Sequence, residues 1–430
     1  MLTIFSFLPA TVSSVEVMAA ILFVVALAHT FSTKQFERLS HRYPRHAGLF
    51  HLLGEVEVVF GFWAMVLVFF IAVMQGGAQA LAYAETRQYT EPLFVFVVMV
   101  VAASRPVLAL VMRLVNGVAA MAPCRTALAS AWLGLAAVPL LGSAITEPAA
   151  MTIAALMLAP SVFASQVPER LKYLALGVLF VNVSIGGSLT SFAAPPVLMV
   201  AGAWQWDTAF MFTTFGWKAA LAVVINASIA VLALGAHLPD GAAQVTKNGG
   251  ERKAVPVSLM LVHVVFLAAV VALAHHPVAF LGVFLMFLGV AQAYERHQDP
   301  LIIKEALLVG FFLAGLVVLG GLQQWWLQPV VSSMSPQALF FGATALTALT
   351  DNAALTYLGS LINGISDAAK YSLVAGAIAG GGLSVIANAP NPAGVALLKQ
   401  QFADGAIGAG GLLLGALLPT AVALLAFWLL

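Results

Sequence analysis

Charged residues are scarce in this chain: Asp, Glu, Lys and Arg together make up 8% of its 430 residues. A water-soluble domain carries about 25%, so this composition excludes a soluble globular protein. Hydrophobic residues account for 62% of the sequence, which indicates an integral membrane protein. The formal net charge of +1 gives no reason to expect a nucleic acid as a partner. The single cysteine, Cys124, excludes an intrachain disulfide.

Patterns typical of an intramembrane enzyme are also missing. No predicted helix carries His and Glu at the spacing of metal ligands, and no serine–histidine pair is evident. We therefore expect neither enzymatic activity nor a bound cofactor.

What the sequence does contain is a succession of apolar runs. Each is about 20 residues long, the length that a helix needs to cross a hydrocarbon layer of about 30 Å. The runs have helical character and do not alternate as the strands of a membrane barrel do. They predict an all-α polytopic membrane protein with about ten transmembrane helices, five in each half of the chain.

The two halves of the sequence repeat each other. Segment 144–152 matches segment 348–356 position by position, and segment 186–196 is echoed by segment 380–392. An odd number of crossings in each half turns the second half upside down relative to the first, which is the inverted-repeat plan of secondary transporters. We assign the first repeat to residues 1–235, a cytoplasmic linker to 236–254 and the second repeat to 255–430.

Each repeat contains two segments that do not fit a simple crossing. Segments 126–160 and 336–361 have a polar centre between arms too short to cross, so they predict re-entrant hairpins. Segments 170–201 and 370–398 contain glycine and proline clusters, so they predict broken helices. Broken helices free carbonyl and N–H groups that can bind ions at mid-membrane. We therefore expect the transport site where the hairpin tips face the breaks.

Two carboxylates occupy equivalent positions at the predicted hairpin tips, Glu147 in the first repeat and Asp351 in the second. A charged side chain at the bilayer centre costs about 2.5 to 3.5 kcal/mol on insertion scales, and such residues are functional by default. We predict that Asp351 is the main shared carrier of protons and cations, with Glu147 the next candidate. The alternative for either acid is a protonated side chain that is simply hydrogen-bonded to a neighbour.

Sodium prefers hard oxygen ligands, and oxygen-bearing side chains cluster in the same segments. The candidate ligands are Thr146, Glu147, Ser188 and Thr190 in the first half, and Thr350, Asp351, Asn352, Ser384 and Asn388 in the second. Lys218, near the middle of its span, is a candidate counter-ion, although a fixed structural ion pair explains it equally well. Glu57 and Arg105 lie at comparable depths and are expected to form a structural salt bridge.

The distribution of Lys and Arg predicts the orientation of the chain. Most basic residues fall in loops on one side of the predicted topology, and short basic loops face the cytoplasm. Both termini are therefore expected outside the cytoplasm. We expect the protein in the cytoplasmic (inner) membrane of a bacterium.

Three motifs carry a resemblance to a known group of transporters: Gly54-Glu55-Val56-Glu57, Phe215-Gly216-Trp217-Lys218 and Ala387-Asn388-Ala389-Pro390-Asn391-Pro392. With the paired hairpins, the chain resembles the ion transporter superfamily, which includes D-type sodium/proton antiporters, arsenite permeases and dicarboxylate carriers. Within it, the motifs look like those of the putative sodium/proton antiporter family, and the likeness covers essentially the whole chain. The resemblance implies a homodimer in which hairpins and broken helices form a mobile transport part that moves like an elevator against a scaffold.

The hairpin tips also separate this chain from some relatives in that superfamily. Dicarboxylate carriers typically place neutral Ser-Asn-Thr at each tip, whereas this chain has Thr146-Glu147-Pro148 and Thr350-Asp351-Asn352. The added negative charge makes a dianionic substrate harder to bind. The sequence therefore favours a secondary transporter that exchanges a monovalent cation, sodium above all, for protons.

Two other functions stay open at this point. One is a sodium- or proton-coupled symporter of a small organic anion, in which half-helix N-termini and Lys218 bind the carboxylate. The other is an ion channel, since duplicated carboxylate hairpins also line channel filters. Nothing in the sequence suggests the fourfold ring or the continuous polar face that a channel needs.

Overall fold

The computed structural model describes residues 12–238 and 254–430. Positions 239–253 of the predicted linker at 236–254 lie outside the described residues. The described part of the chain is built from α-helices and contains no β-strand.

The helices are numbered here in chain order. Those of the first half are α1 (Ser14–Arg42), α2 (Ala47–Gly54), α3 (Val56–Gln75), α4 (Gly77–Glu85), α5 (Thr90–Ala102), α6 (Arg105–Met121), α7 (Thr126–Leu135), α8 (Ala137–Ile145), α9 (Glu147–Leu158), α10 (Glu169–Gly186), α11 (Pro195–Trp204), α12 (Thr208–Met211) and α13 (Trp217–Leu234). Those of the second half are α14 (Val257–Ala272), α15 (Pro277–Ala293), α16 (Ile303–Gly320), α17 (Gln324–Ser332), α18 (Pro336–Thr347), α19 (Asn352–Ser360), α20 (Asp367–Gly380), α21 (Asn391–Leu398) and α22 (Ala409–Leu429).

Helices able to cross a membrane occur in both halves of the described chain. Five helices among the described residues are long and apolar enough to cross a membrane: Glu57–Gln75, Glu169–Leu189, Thr208–Leu234, Ile303–Gly320 and Ala409–Leu429. Two bent helix pairs, α5 with α6 at 63° and α7 with α8 at 41°, raise the number to seven if each pair is one span. The prediction of a helical membrane protein is confirmed. The count of ten crossings and the inverted repeat stay predictions.

The described residues divide into two units. The first contains residues 1–96, 304–334 and 357–365. Within this unit α1 packs on α2 and α3, and α16 meets α3 where Gly315 lies directly on the backbone of Gly61. Small residues at such a crossing let two membrane helices approach until their backbones touch.

The second unit contains residues 97–303, 335–356 and 366–430. Its central helix is α10, whose residues from Ala175 to Gly186 are all buried. Helix α22 lies against α10 through a glycine contact, Gly177 on the backbone of Gly415. In the same unit α18 packs on α20, where Gly376 lies against the carbonyl of Phe340. Both predicted broken helices and both predicted hairpin tips belong to this unit.

The two predicted broken helices are interrupted in the structure. Helix α10 ends at Gly186, a short 3₁₀ turn follows, and α11 begins at Pro195. Helix α20 ends at Gly380 and α21 begins at Asn391. Proline at the first turn of α11 lacks the N–H that would continue the preceding helix, so the backbone between the two pieces is free to bind other groups.

Candidate functional site

The tip of the first hairpin is a strained backbone turn between α8 and α9. Thr146 separates the two helices with φ 78° and ψ 151°, a conformation that residues with a side chain rarely adopt. Such strain costs roughly 1 to 3 kcal/mol and clusters at functional sites. It turns the chain so that Glu147, the first residue of α9, points into the unit and is 0% exposed.

The carboxyl group of Glu147 lies between the two helix interruptions. Its Oε2 accepts a hydrogen bond of 2.8 Å from Nδ2 of Asn388, in the second interruption. On the other side it packs against Gly187, in the first interruption, where an added Cβ would come within 2.5 Å of Oε1. Oε1 is buried and has no hydrogen-bond partner among the described residues. In this buried carboxyl group one oxygen is therefore hydrogen-bonded and the other is not; we call it half-open.

The tip of the second predicted hairpin is built differently. Asp351 lies just before α19, and its Oδ1 accepts hydrogen bonds from the backbone N–H groups of Ala353 (2.8 Å) and Ala354 (3.1 Å). This is helix N-capping, which stabilises an ionised carboxylate. Asp351 is only partly buried, and it interacts electrostatically with Glu147. The two equivalent acids thus have different surroundings.

Asn352 ties the second tip to both broken helices. Its backbone N–H donates to the carbonyl of Ala387 at 3.1 Å, and its Nδ2 donates to Oγ of Ser184 on α10 at 3.4 Å. Ser184 in turn donates to the carbonyl of Ile378 on α20 at 2.8 Å. The tips and the interruptions therefore form one continuous polar region in the second unit.

This region contains several buried oxygen atoms that have no hydrogen-bond partner among the described residues. They belong to Thr146, Glu147, Thr347, Asn352, Ser384, Asn388 and Asn391. Buried polar atoms are normally satisfied, so a cluster of exceptions points to a bound ion, proton or water. The residues that the structure describes include no group of three or more His, Cys, Asp or Glu side chains able to hold a metal ion. Neutral oxygens with one fully buried acid suit a monovalent cation better than a divalent one.

Three of the predicted ligands have their hydroxyl hydrogens bonded to main-chain carbonyls. Ser188 donates to Ile185 at 2.6 Å and Thr350 to Leu346 at 2.9 Å. Thr190 donates to Ser143 at 2.8 Å. Each hydroxyl keeps lone pairs that can still face a cation.

Sequence reasoning missed two residues with unpartnered oxygens, Thr347 and Asn391. Asn391 belongs to the asparagine–proline motif at 387–392, and its Nδ2 donates to the carbonyls of Gly381 (2.7 Å) and Ser384 (2.9 Å). Thr347 is the repeat equivalent of Ser143, as the match between 144–152 and 348–356 requires. Extending that match by one residue would have found the hydroxyl groups of Ser143 and Thr347.

Lys218 has aromatic neighbours. Its Nζ donates to the hydroxyl of Tyr371 at 2.9 Å and lies 4.6 Å from the centre of that ring. In the part of the chain that the structure describes, Lys218 has no carboxylate partner. Its role as a counter-ion stays a prediction. The pair of Glu57 and Arg105 joins residues of different units and also stays a prediction.

Comparison with known protein families gives a match over most of the chain. The model of the family described as "Putative Na+/H+ antiporter" matches residues 14–430. A search of curated proteins finds no match.

Proposed function

We propose that this chain, which belongs to the Putative Na+/H+ antiporter family, exchanges sodium for protons and that Glu147 carries either one or the other. Membership of this family implies the exchange of a cation for protons. The choice of sodium, the carrier residue and the mode of movement are the finer parts of the proposal.

The observation that carries the proposal is the half-open carboxyl group of Glu147. It is fully buried, and a single amide hydrogen bond serves one of its two oxygens. An isolated ionised carboxylate in such surroundings is unstable unless something neutralises it. A proton on Oε1 or a cation beside Oε1 does so, and the two exclude each other. Competition at one carboxyl group is the simplest basis for exchange.

The neighbouring oxygens support a cation at this position. Thr146 precedes Glu147 in the chain, and Asn388 is hydrogen-bonded to it, so their unpartnered oxygens belong to the same small region. The close approach of Gly187 leaves little space beside Oε1. A compact set of hard oxygen ligands favours sodium or lithium over the larger potassium ion.

Asp351 takes a different role in this proposal. Its carboxylate is partly accessible and already accepts two backbone N–H groups, so it does not need a proton or a metal ion to be stable. We assign it as a fixed negative charge that attracts the cation towards Glu147. This reverses the order of the two candidates that the sequence alone favours.

The elevator mechanism is part of the proposal as well. All the residues named above belong to the unit of residues 97–303, 335–356 and 366–430, which supports movement of the site as one body. Ser184 and Ile378, which are hydrogen-bonded, occupy equivalent positions in the two sequence repeats, and this contact supports a pseudo-twofold relation between them. A homodimer is expected from the sequence resemblance alone.

The test is exchange by Glu147→Gln in proteoliposomes that contain a pH-sensitive dye. Sodium, lithium or potassium is added outside, and the release of protons from the lumen is followed. Glutamine keeps the size and the contact with Asn388 but removes the titration, so exchange should be lost for every cation. Asp367→Asn is the matched control, because this side chain is 95% exposed at the start of α20 and its loss should not change the rate. Wild-type exchange by Glu147→Gln would refute the proposal.

A further inference from the structure

We propose that Asn182, on α10, is a positioning residue that sets the place of the Glu147 carboxyl group by holding a bend in the first hairpin. The inference rests on the proposed function for its effect on transport. Its structural part stands on contacts within the second unit that no motif of the sequence indicates.

The bend exists because proline interrupts the first arm of the hairpin. In a straight helix, the carbonyl of Leu135 would accept a hydrogen bond from the N–H of residue 139. Residue 139 is proline, which has no N–H, and the axis bends by 41° between α7 and α8 at Ala136. The carbonyl of Leu135 is thus left without its helical donor in the middle of a buried region.

Asn182 supplies that donor from another helix. Its Nδ2 donates to the carbonyl of Leu135 at 2.8 Å and to that of Val223 on α13 at 3.2 Å. The side chain is fully buried, and its orientation is fixed by Asn226, whose Nδ2 donates to Oδ1 of Asn182 at 3.0 Å. Asn226 also donates to the carbonyl of Pro419 at 3.2 Å. Asn182 and Asn226 together therefore connect four helices, α7, α10, α13 and α22.

The contact between Asn182 and Leu135 is the outer rung of a ladder that leads to the tip. One turn further along both helices, Gly186 lies against the carbonyl of Pro139, where an added Cβ would be 2.7 Å away. After one more turn, Thr190 donates to the carbonyl of Ser143 at 2.8 Å.

The inner rungs are further secured by Oγ of Ser143. It donates to the carbonyl of Gly186 at 2.6 Å and accepts from the N–H of Leu189 at 3.2 Å. The three contacts keep the same offset in sequence between the hairpin arm and the segment from Asn182 to Thr190. The next turn of the hairpin is the tip at Thr146 and Glu147. The direction of α8, and with it the place of the carboxyl group, therefore follows from the bend.

A change in the bend angle would move the hairpin tip by a large distance. Helix α8 and the tip extend over ten residues beyond Ala136, which is about 15 Å of helix. Straightening a 41° bend over that length would move the tip by about 10 Å. A small part of this movement would separate Glu147 from Asn388, because N–H···O hydrogen bonds have donor–acceptor distances of about 2.7 to 3.2 Å and this one is 2.8 Å.

The test combines two substitutions with opposite effects on the orphaned carbonyl. Asn182→Leu keeps the number and branching of the side-chain heavy atoms but removes the donor. Adding Pro139→Ala restores an N–H at residue 139, so the carbonyl of Leu135 regains a helical partner while the reason for the bend disappears. We expect Asn182→Leu to lower the unfolding temperature and the double variant to recover it. Apparent sodium affinity should fall by about tenfold or more in both, because the tip is misplaced in both.

Two further measurements separate positioning from stability. Val178→Ala removes packing one turn away on α10, where Val178 is 1% exposed. It should lower the unfolding temperature without changing sodium affinity or the pH profile of exchange. A cysteine at the exposed position Ala144, in a Cys124→Ala background, reports the tip directly through its rate of labelling by a maleimide. That rate should change in Asn182→Leu and in the double variant, but not in Val178→Ala.

Wild-type sodium affinity and wild-type labelling in the double variant would overturn the inference, because Asn182 would then only satisfy a carbonyl. The labelling experiment does not depend on transport. If Glu147→Gln still exchanged cations, the proposed function would fail, and the labelling rates would still decide whether Asn182 positions the tip.

Discussion

Replacement of Gly187 by alanine tests the position of the carrier carboxyl group with a single methyl group. Gly187 has φ −68° and ψ −15°, which alanine adopts without strain, so the backbone is not disturbed. The added Cβ would lie 2.5 Å from Oε1 of Glu147, 2.7 Å from its Cγ and 3.0 Å from its Cδ. The three heavy atoms nearest to the added Cβ therefore all belong to the Glu147 side chain.

The size of the effect follows from these distances. Ordinary contacts between carbon atoms are about 3.5 to 4.0 Å, so the Glu147 side chain has to move by roughly 1 Å. Overpacking of this kind typically costs about 1 to 3 kcal/mol. If the cation-bound state needs the carboxyl group in its present place, apparent sodium affinity should fall by about fivefold to about a hundredfold.

The assay is the sodium dependence of proton release in proteoliposomes, measured beside a matched glycine control. Gly117, on α6, has open space around it, so Gly117→Ala should leave sodium affinity unchanged. Shortening the acid gives a second check: Glu147→Asp withdraws the carboxyl group by one methylene and should recover part of the affinity in the Gly187→Ala background. Such coupling between two substitutions is expected only for side chains in contact.

One result would refute the reasoning. If Gly187→Ala binds sodium as the wild type does, the cation does not sit at the oxygen that faces Gly187. Equal and independent losses in the two single variants, with no recovery in the double variant, would lead to the same conclusion.

Three further predictions use the same assay. Asn388→Ala should weaken sodium binding and also slow exchange, because it removes both an oxygen ligand and the amide that orients Glu147. If sodium affinity and exchange rate are both unchanged, Asn388 does not belong to the site. Asp351→Asn should keep exchange but weaken sodium affinity by up to about tenfold, since asparagine can still cap α19 while the attracting charge is lost; complete loss would return Asp351 to the role of carrier. Lys218→Met should leave the cation preference unchanged and alter the pH profile if Lys218 is a counter-ion, and an unchanged profile would leave only its contact with Tyr371.

The sequence was informative where local chemistry decides the structure. The residues behind the predicted breaks lie at helix ends: α10 ends at Gly186, α11 begins at Pro195 and α20 ends at Gly380. Proline cannot continue the preceding helix, and glycine readily ends one. The family was predicted from three short motifs, and the match over residues 14–430 confirms it. The high apolar content sufficed for the prediction of a membrane protein.

The sequence was uninformative where distant residues decide the environment. Glu147 and Asp351 look equivalent in the repeat, yet burial and a neighbour 241 residues away distinguish them. The partner of the carbonyl freed by Pro139 is Asn182, and only the packing of α10 against α8 brings the two together. No spacing rule connects an orphaned carbonyl to an amide on another helix.

One difference between the repeats accompanies the different surroundings of their two acids. Asn352 uses its backbone N–H to bind the carbonyl of Ala387, and this bond fixes the second tip to the interruption of its own repeat. The equivalent position in the first repeat is Pro148, which has no N–H to donate. The first tip therefore lacks that backbone link, and the amide of Asn388 reaches Glu147 from the other repeat instead. The tip with the backbone link thus holds the capping acid Asp351, and the tip without it holds the buried acid Glu147, which is the proposed carrier.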